Sequence, residues 1–200
     1  MNQNAGILFH GGAMQEGTKS AYDSDGRRKY LTKAESVKFL RISSKLAKSR
    51  RLFCEVIHFT GCRISEALKL TGEDIDHGQS LLCIRCLKKR GKVVTRRVPV
   101  PDRLAKELRL LATESGSGRL WDFSRTTGWR IIKGVMNNAG IAGIHATTKG
   151  LRHGFGVRGA LGKVPVNVIQ RWMGHADPST TAIYLAVRDD EERELIKRTW

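Results

Sequence analysis

Apolar positions recur at helical spacing through most of the chain and switch once, near its middle, to the alternation of strands. Thr32 followed by Glu35 is a capping-box pattern, and it opens a helix carrying Val37, Phe39 and Leu40. A second helical stretch presents a broad apolar face of Leu52, Phe53, Val56, Ile57 and Phe59, and Thr60 with Gly61 stops it. A short helix is predicted from Ile64 to Leu70, just after Arg63. Residues 80–87 and 93–100 then read as two strands around a basic turn, Lys88 to Lys92, and should pair as an antiparallel hairpin.

Helical periodicity returns after the hairpin. Asp102 can cap a helix with Leu104, Leu108 and Leu111 on one face, and Thr126 or Thr127 can cap another holding Trp129, Ile132 and Val135. Two more helices fit residues 148–161 and 165–173, the latter opened by Pro165 and closed by Gly174. Asp177 and Pro178 begin a helix that contains Tyr184, and a charged helix is expected over 189–198. The expected fold class is therefore mainly α with a small antiparallel β-sheet (α+β). Residues 1–29, rich in Gly, Asn, Gln and Ser without a sustained period, are expected to be a disordered leader, leaving 30–200 as one domain.

Charge sharpens this picture. The chain of 200 residues carries 36 Lys and Arg against 19 Asp and Glu, a formal net charge of +17. Such a balance calls for an acidic partner, and nucleic acid is the commonest, because neutralising phosphates releases condensed counterions. On charge alone a basic structural protein of the ribosomal type stays open. No apolar run approaches the roughly 20 residues of a membrane helix, and no secretory pattern leads the chain, so a cytoplasmic, DNA-accessible protein with no membrane partner is expected. Cys54, Cys62, Cys83 and Cys86 lie among apolar neighbours and read as reduced thiols. Cys83 and Cys86 have the spacing of a zinc half-site, but no second tight pair follows, and a strand would aim the two thiols to opposite faces.

Polar and basic residues cluster where helices begin or meet: Thr60 to Glu66 around Arg63, the hairpin at Lys88, Thr148 to His153 around Arg152, and Trp172 to His175 followed by Tyr184. In this order and with these separations the segments resemble the tyrosine recombinases, the phage integrase family. The resemblance covers residues 30–187 or so and matches that family's catalytic domain without its usual DNA-clamping N-terminal domain. A Leu-Arg-His triplet alone is a weak signal, whereas the ordered set ending in Gly174, His175 and then Tyr184 is specific.

The chemistry needs such a set for a physical reason. Attack of a side-chain oxygen on a phosphodiester builds negative charge on the non-bridging oxygens, so fixed cations belong where that charge grows. Arg63 and Arg152 suit this task as planar forks of donors; pairing of Arg63 with Glu66 is the structural alternative. The resemblance implies Tyr184 as nucleophile, with His175 donating to the scissile phosphate or helping deprotonate the phenol. It implies Lys88 as general acid to the leaving 5′ oxygen, with Lys89 and Lys92 as rivals. Lys149 stands where the family usually has the first His of His-x-Leu-Arg-His; one helical turn from Arg152, it is expected to bind phosphate as a cation. His153 is read as a support of its helix, and His10, His58, His77 and His145 receive no catalytic role.

The resemblance further implies a site-specific recombinase that cleaves DNA, forms a 3′-phosphotyrosyl link and rejoins strands with no metal or nucleotide cofactor. Its partners would be double-stranded DNA and further copies of itself, a tetramer on DNA and a monomer when free, with Leu195, Ile196 and Trp200 supplying contacts between subunits. Two rival readings use the same residues: a type IB topoisomerase-like enzyme that reseals the original strand, and a non-catalytic DNA-binding remnant or regulator.

Overall fold

The computed structural model describes residues 20–76, 78–87, 93–115 and 118–185, with backbone only at Leu87 and Val93. Helix α1 (Lys33–Ser43) starts on the expected capping box: the Thr32 hydroxyl accepts from the Glu35 amide, and the Glu35 carboxylate accepts from the Thr32 amide. Arg28 clamps the same carboxylate through Nη1 and Nη2 at 2.5 and 2.6 Å, which ties the preceding turn to the helix start. That turn is a departure from expectation. Residues 20–29, part of the expected leader, hold a defined turn with a Tyr22–Arg28 bridge and bury Ala21. Their apolar content is too sparse to show periodicity; their order rests on contacts with distant helices. The leader's remainder lies outside the described residues.

Helix α2 (Lys48–Thr60) is the central rod. Leu52, Phe53, Cys54, Val56 and Ile57 are fully enclosed, because neighbours pack on it from several sides: α1, then α4 (Asp102–Ser115), α5 (Arg125–Asn138) and α6 (Thr148–Leu161). It ends at Gly61, whose φ of 60° is a left-handed conformation open to glycine at little cost. A Cβ there would also sit 2.7 Å from the Phe155 ring, so the turn into α3 (Ile64–Ala67) needs glycine twice over. Helix α3 is shorter than the predicted span to Leu70.

The sheet has three antiparallel strands in the order β1-β2-β3: Ile75–Asp76, Leu81–Leu87 and Val93–Pro99. The hairpin β2–β3 forms as predicted, with Leu82 opposite Val98 and Ile84 opposite Arg96. Strand β1, a two-residue strand directly following a 3₁₀ turn (Gly72–Asp74), is too short to announce itself by alternation. Leu82, Ile84 and Val98 face the main core, which α4 completes with Leu104, Ala105 and Leu108.

Ser124 caps α5, not Thr126 or Thr127, which fall in its first turn; the Ser124 hydroxyl accepts from the Thr127 amide. Val37, expected on the apolar face of α1, is exposed, and Phe39 carries the packing. Thr147 caps α6, and α7 (Val166–Met173) ends on Gly174 at φ 65°. Helix α8 (Ser179–Ala182) stops short of Tyr184, which lies in the turn after it and not within the predicted helix. Residues 189–198, Leu195, Ile196 and Trp200 lie outside the described residues.

Among the described residues two apolar clusters result. The larger unites α1–α5, the sheet and part of α6. The smaller joins Ala21 and Tyr30 of the N-terminal turn, Val157 of α6, Ile169 and Met173 of α7, and Tyr184. The N-terminal turn thus shares a small core with the proposed nucleophile.

Candidate functional site

Arg152 is the hub. Its side chain leaves α6 into the interior, where Nη1 donates to the Gly61 carbonyl at 2.7 Å and Nη2 donates to the Met173 carbonyl at 2.6 Å. Those carbonyls lie two residues before Arg63 and two residues before His175, so one guanidinium staples both candidate segments to α6. Three of its five N–H donors remain for a ligand. Burial and the nearby Arg63 push its pKa down to about 10, still well above neutrality. A buried cation held by two carbonyls, with no carboxylate among the described residues in contact, is an arrangement suited to receiving an anion.

Among the described residues the one nearby carboxylate, Glu66, serves two other arginines. Glu66 accepts from Arg63 Nη1 at 2.9 Å and from Arg96 Nη2 at 2.6 Å, and also takes the Arg63 backbone amide. Burial alone would raise the Glu66 carboxyl, but Arg96, the Arg63 amide and the Arg63 charge hold it below its usual range. Arg96 itself is enclosed and donates its Nε to the Trp172 carbonyl at 2.7 Å, bracing the end of α7. Arg63 pairs with Glu66 yet remains half exposed. The two readings of Arg63, ion pair or open cation, are therefore both realised: Glu66 orients it and solvent still reaches it.

Tyr184 is buried, 2% exposed, and its Oη shares a hydrogen bond with His153 Nδ1 at 3.1 Å. Its ring lies against α6 where Gly156 leaves room; a Cβ there would fall 2.4 Å from Cε2. Burial raises the phenol to about 12, against the opposing pull of Arg152. His175 stacks beside it, ring centroids 6.3 Å apart, and its Nδ1 is bonded to the Thr181 hydroxyl at 2.8 Å, which leaves Nε2 for a ligand. Burial and the charges of Arg152 and Arg63 lower the His175 imidazole to about 3, so it is neutral in ordinary buffers.

The structure thus brings together Arg63, Arg152, His175 and Tyr184, and places Lys149 exposed on α6 near enough to His153 to depress its pKa. Lys88, Lys89 and Lys92 lie outside the described residues. Beside His175 a cleft of about 520 Å³ runs between β3 and α7, lined by Arg96, Arg97, Asn167, Gln170 and Arg171 among others. Four participants escaped the sequence reading. Glu66 appeared only as a competitor for Arg63. Arg96 carried a usable signal, a charge on the inward face of β3 between Val94 and Val98. Thr181 had none. His153 reads from sequence as a support of its helix, and the structure adds a bond from its ring to the Tyr184 hydroxyl.

The chain is similar to known proteins in both sequence and fold. A tyrosine recombinase XerA from Pyrococcus furiosus is 32% identical over 181 residues, covering 85% of this chain and 61% of that protein; the chain thus spans about three fifths of such a relative's length. The crystal structure of XerA recombinase superposes with a TM-score of 0.73 at 24% identity, over 85% of this chain and 64% of that one. The XerH site-specific recombinase in its pre-cleavage complex gives 0.70 at 21% identity, over 88% and 59%. Among the described residues no helix is long and apolar enough to cross a membrane. The Phage integrase family model matches residues 29–191, and the chain belongs to that family.

Proposed function

We propose that this chain supplies the catalytic centre of a site-specific DNA recombinase, with Tyr184 as the nucleophile. One observation carries the reading: the Arg152 guanidinium binds the Gly61 and Met173 carbonyls, and so draws the Arg63 segment and the His175 segment to the helix against which Tyr184 packs. The scissile phosphate would lie among Arg63, Arg152 and His175. The free donors of the two guanidiniums and Nε2–H of His175 would then face its non-bridging oxygens as charge accumulates there. Tyr184 Oη attacks phosphorus as its proton passes to solvent water, and the bond to the 5′ oxygen breaks. The leaving oxygen takes a proton from a hairpin lysine, for which Lys88 is the choice. The resulting 3′-phosphotyrosyl bond retains the energy needed for rejoining by a 5′-hydroxyl. Lys149 adds a cation at the mouth of the site. A recombinase of the same fold, XerH, is seen bound to its difH substrate in a pre-cleavage complex, which supports DNA as the partner here.

The test uses a pool of nicked duplexes with a randomised central segment, incubated with wild-type protein and with Tyr184→Phe, then denatured in detergent. Wild type should retain covalently linked DNA, and Tyr184→Phe none. Equal binding of duplex by both proteins with no linked DNA from either would leave a DNA-binding protein without this activity. Exchange of strands between two sites, rather than relaxation of supercoils on one, separates a recombinase from a topoisomerase.

A further inference from the structure

Among the described residues the only hydrogen-bond partner of the Tyr184 hydroxyl is His153, one position after Arg152 on α6. The other nitrogen of that ring, Nε2, is buried without any partner. Counting satisfied groups fixes the direction of the bond. If Nδ1 carried the hydrogen, the phenol O–H and the Nε2 lone pair would both be stranded; with the hydrogen on Nε2, only that N–H is. The phenol therefore donates and Nδ1 accepts. Burial, with Lys149, Arg152 and Lys29 nearby, lowers the imidazole to about 4. These groups keep the ring neutral and make it a poor final home for the proton.

We propose that His153 is a positioning residue for the nucleophile: its Nδ1 fixes the direction of the Tyr184 O–H and with it the lone pair that faces the phosphate. This rests on the catalytic reading of Tyr184 above. The geometry favours it over simple helix support. The ring of His153 meets the Tyr184 ring edge-on at 5.9 Å and 63°, while His175 is committed through Nδ1 to Thr181 and so offers the phenol no bond in this arrangement. Lys149, at the position where an imidazole would be expected, carries a charge that further suppresses protonation of His153. The arrangement keeps one neutral acceptor on the nucleophile inside a ring of cations.

Two measurements decide the matter. In the first, covalent adduct formation on duplexes recovered from the pool above is timed for wild type, His153→Ala, His153→Asn and His153→Gln, with duplex binding measured alongside. Asn places its Oδ1 as many bonds from the backbone as Nδ1, whereas Gln reaches toward the Nε2 position. His153→Ala and His153→Gln should slow the adduct on the order of 10²-fold with binding unchanged, and His153→Asn should recover to within about tenfold of wild type. A packing role predicts the reverse order, with the bulkier Gln better than Asn, and would overturn the proposal. The second is a thermal-melting cycle of His153→Ala, Tyr184→Phe and the double variant, which needs no activity. The double variant should melt within roughly 1 °C of the less stable single, because each single already loses the shared bond. Additive shifts would overturn the contact even where adducts form. Coupled melting without any adduct from wild type would sink the catalytic reading, and this proposal with it, while leaving the contact intact.

Discussion

Gly156→Ala places two known effects in opposition, and the structure decides between them. In the interior of α6, replacing glycine by alanine should stabilise the helix by up to about 1 kcal/mol. The added Cβ, however, would lie 2.4 Å from Cε2 and 2.6 Å from Cδ2 and Cζ of Tyr184. The phenol is 2% exposed, enclosed by Ala21, Tyr30, Val157, Ile169 and Met173, so the ring has no vacant space to enter. Overpacking of this kind costs about 1–3 kcal/mol. The net expectation is a loss of about 0–2 kcal/mol, or a melting temperature lower by as much as roughly 8 °C at this chain length. The larger effect falls on chemistry: shifting Oη by about 1 Å breaks its alignment and should slow adduct formation on the order of 10²-fold. Differential scanning calorimetry and the trapped-adduct assay check both. A raised melting temperature with an unchanged adduct rate would show that the ring is not lodged on Gly156 and would refute the placement of the nucleophile.

Arg152→Ala should lose cleavage far more than duplex binding and destabilise the protein by about 2–5 kcal/mol, since the Gly61 and Met173 carbonyls lose their donor; proportional losses in cleavage and binding would mark it as an anchor only. Glu66→Gln should cost about 3–5 kcal/mol in chemical denaturation, because it removes a carboxylate from the Arg63 and Arg96 pairs, one of them enclosed. Three histidines fold with depressed pKa values, His58 at about 3, His153 at about 4 and His175 at about 3, burial being the largest cause in each. The unfolded chain therefore binds more protons than the folded one below about pH 6.5, and stability present at pH 7 should fall as the pH drops toward 4. Denaturant midpoints at pH 7, 6 and 5 check this, and a flat profile across that range contradicts it.

Much of the scaffold was legible because it depends on neighbours in sequence. The Thr32–Glu35 capping box, the Gly61 and Gly174 helix stops and the β2–β3 hairpin are local devices with residue-specific signatures. The convergence of Arg63, Arg152, His175 and Tyr184 was legible only as an ordered set, since no short-range rule brings positions so far apart together. What escaped was relational. The His153–Tyr184 bond spans 31 positions and Arg96–Glu66 spans 30, and each depends on how helices dock rather than on periodicity. The N-terminal turn hid for the same reason. Ala21 and Tyr30 are apolar anchors in a stretch without a repeat, and they show their purpose only when α6 and α7 supply the other side of the small cluster.

The most direct test of the account is to digest the detergent-resistant protein–DNA adduct with trypsin and locate the linked residue by mass spectrometry. The account predicts a nucleotide attached to the peptide of residues 172–188, at Tyr184. Attachment at any other side chain, or an adduct that persists undiminished in Tyr184→Phe, would contradict it.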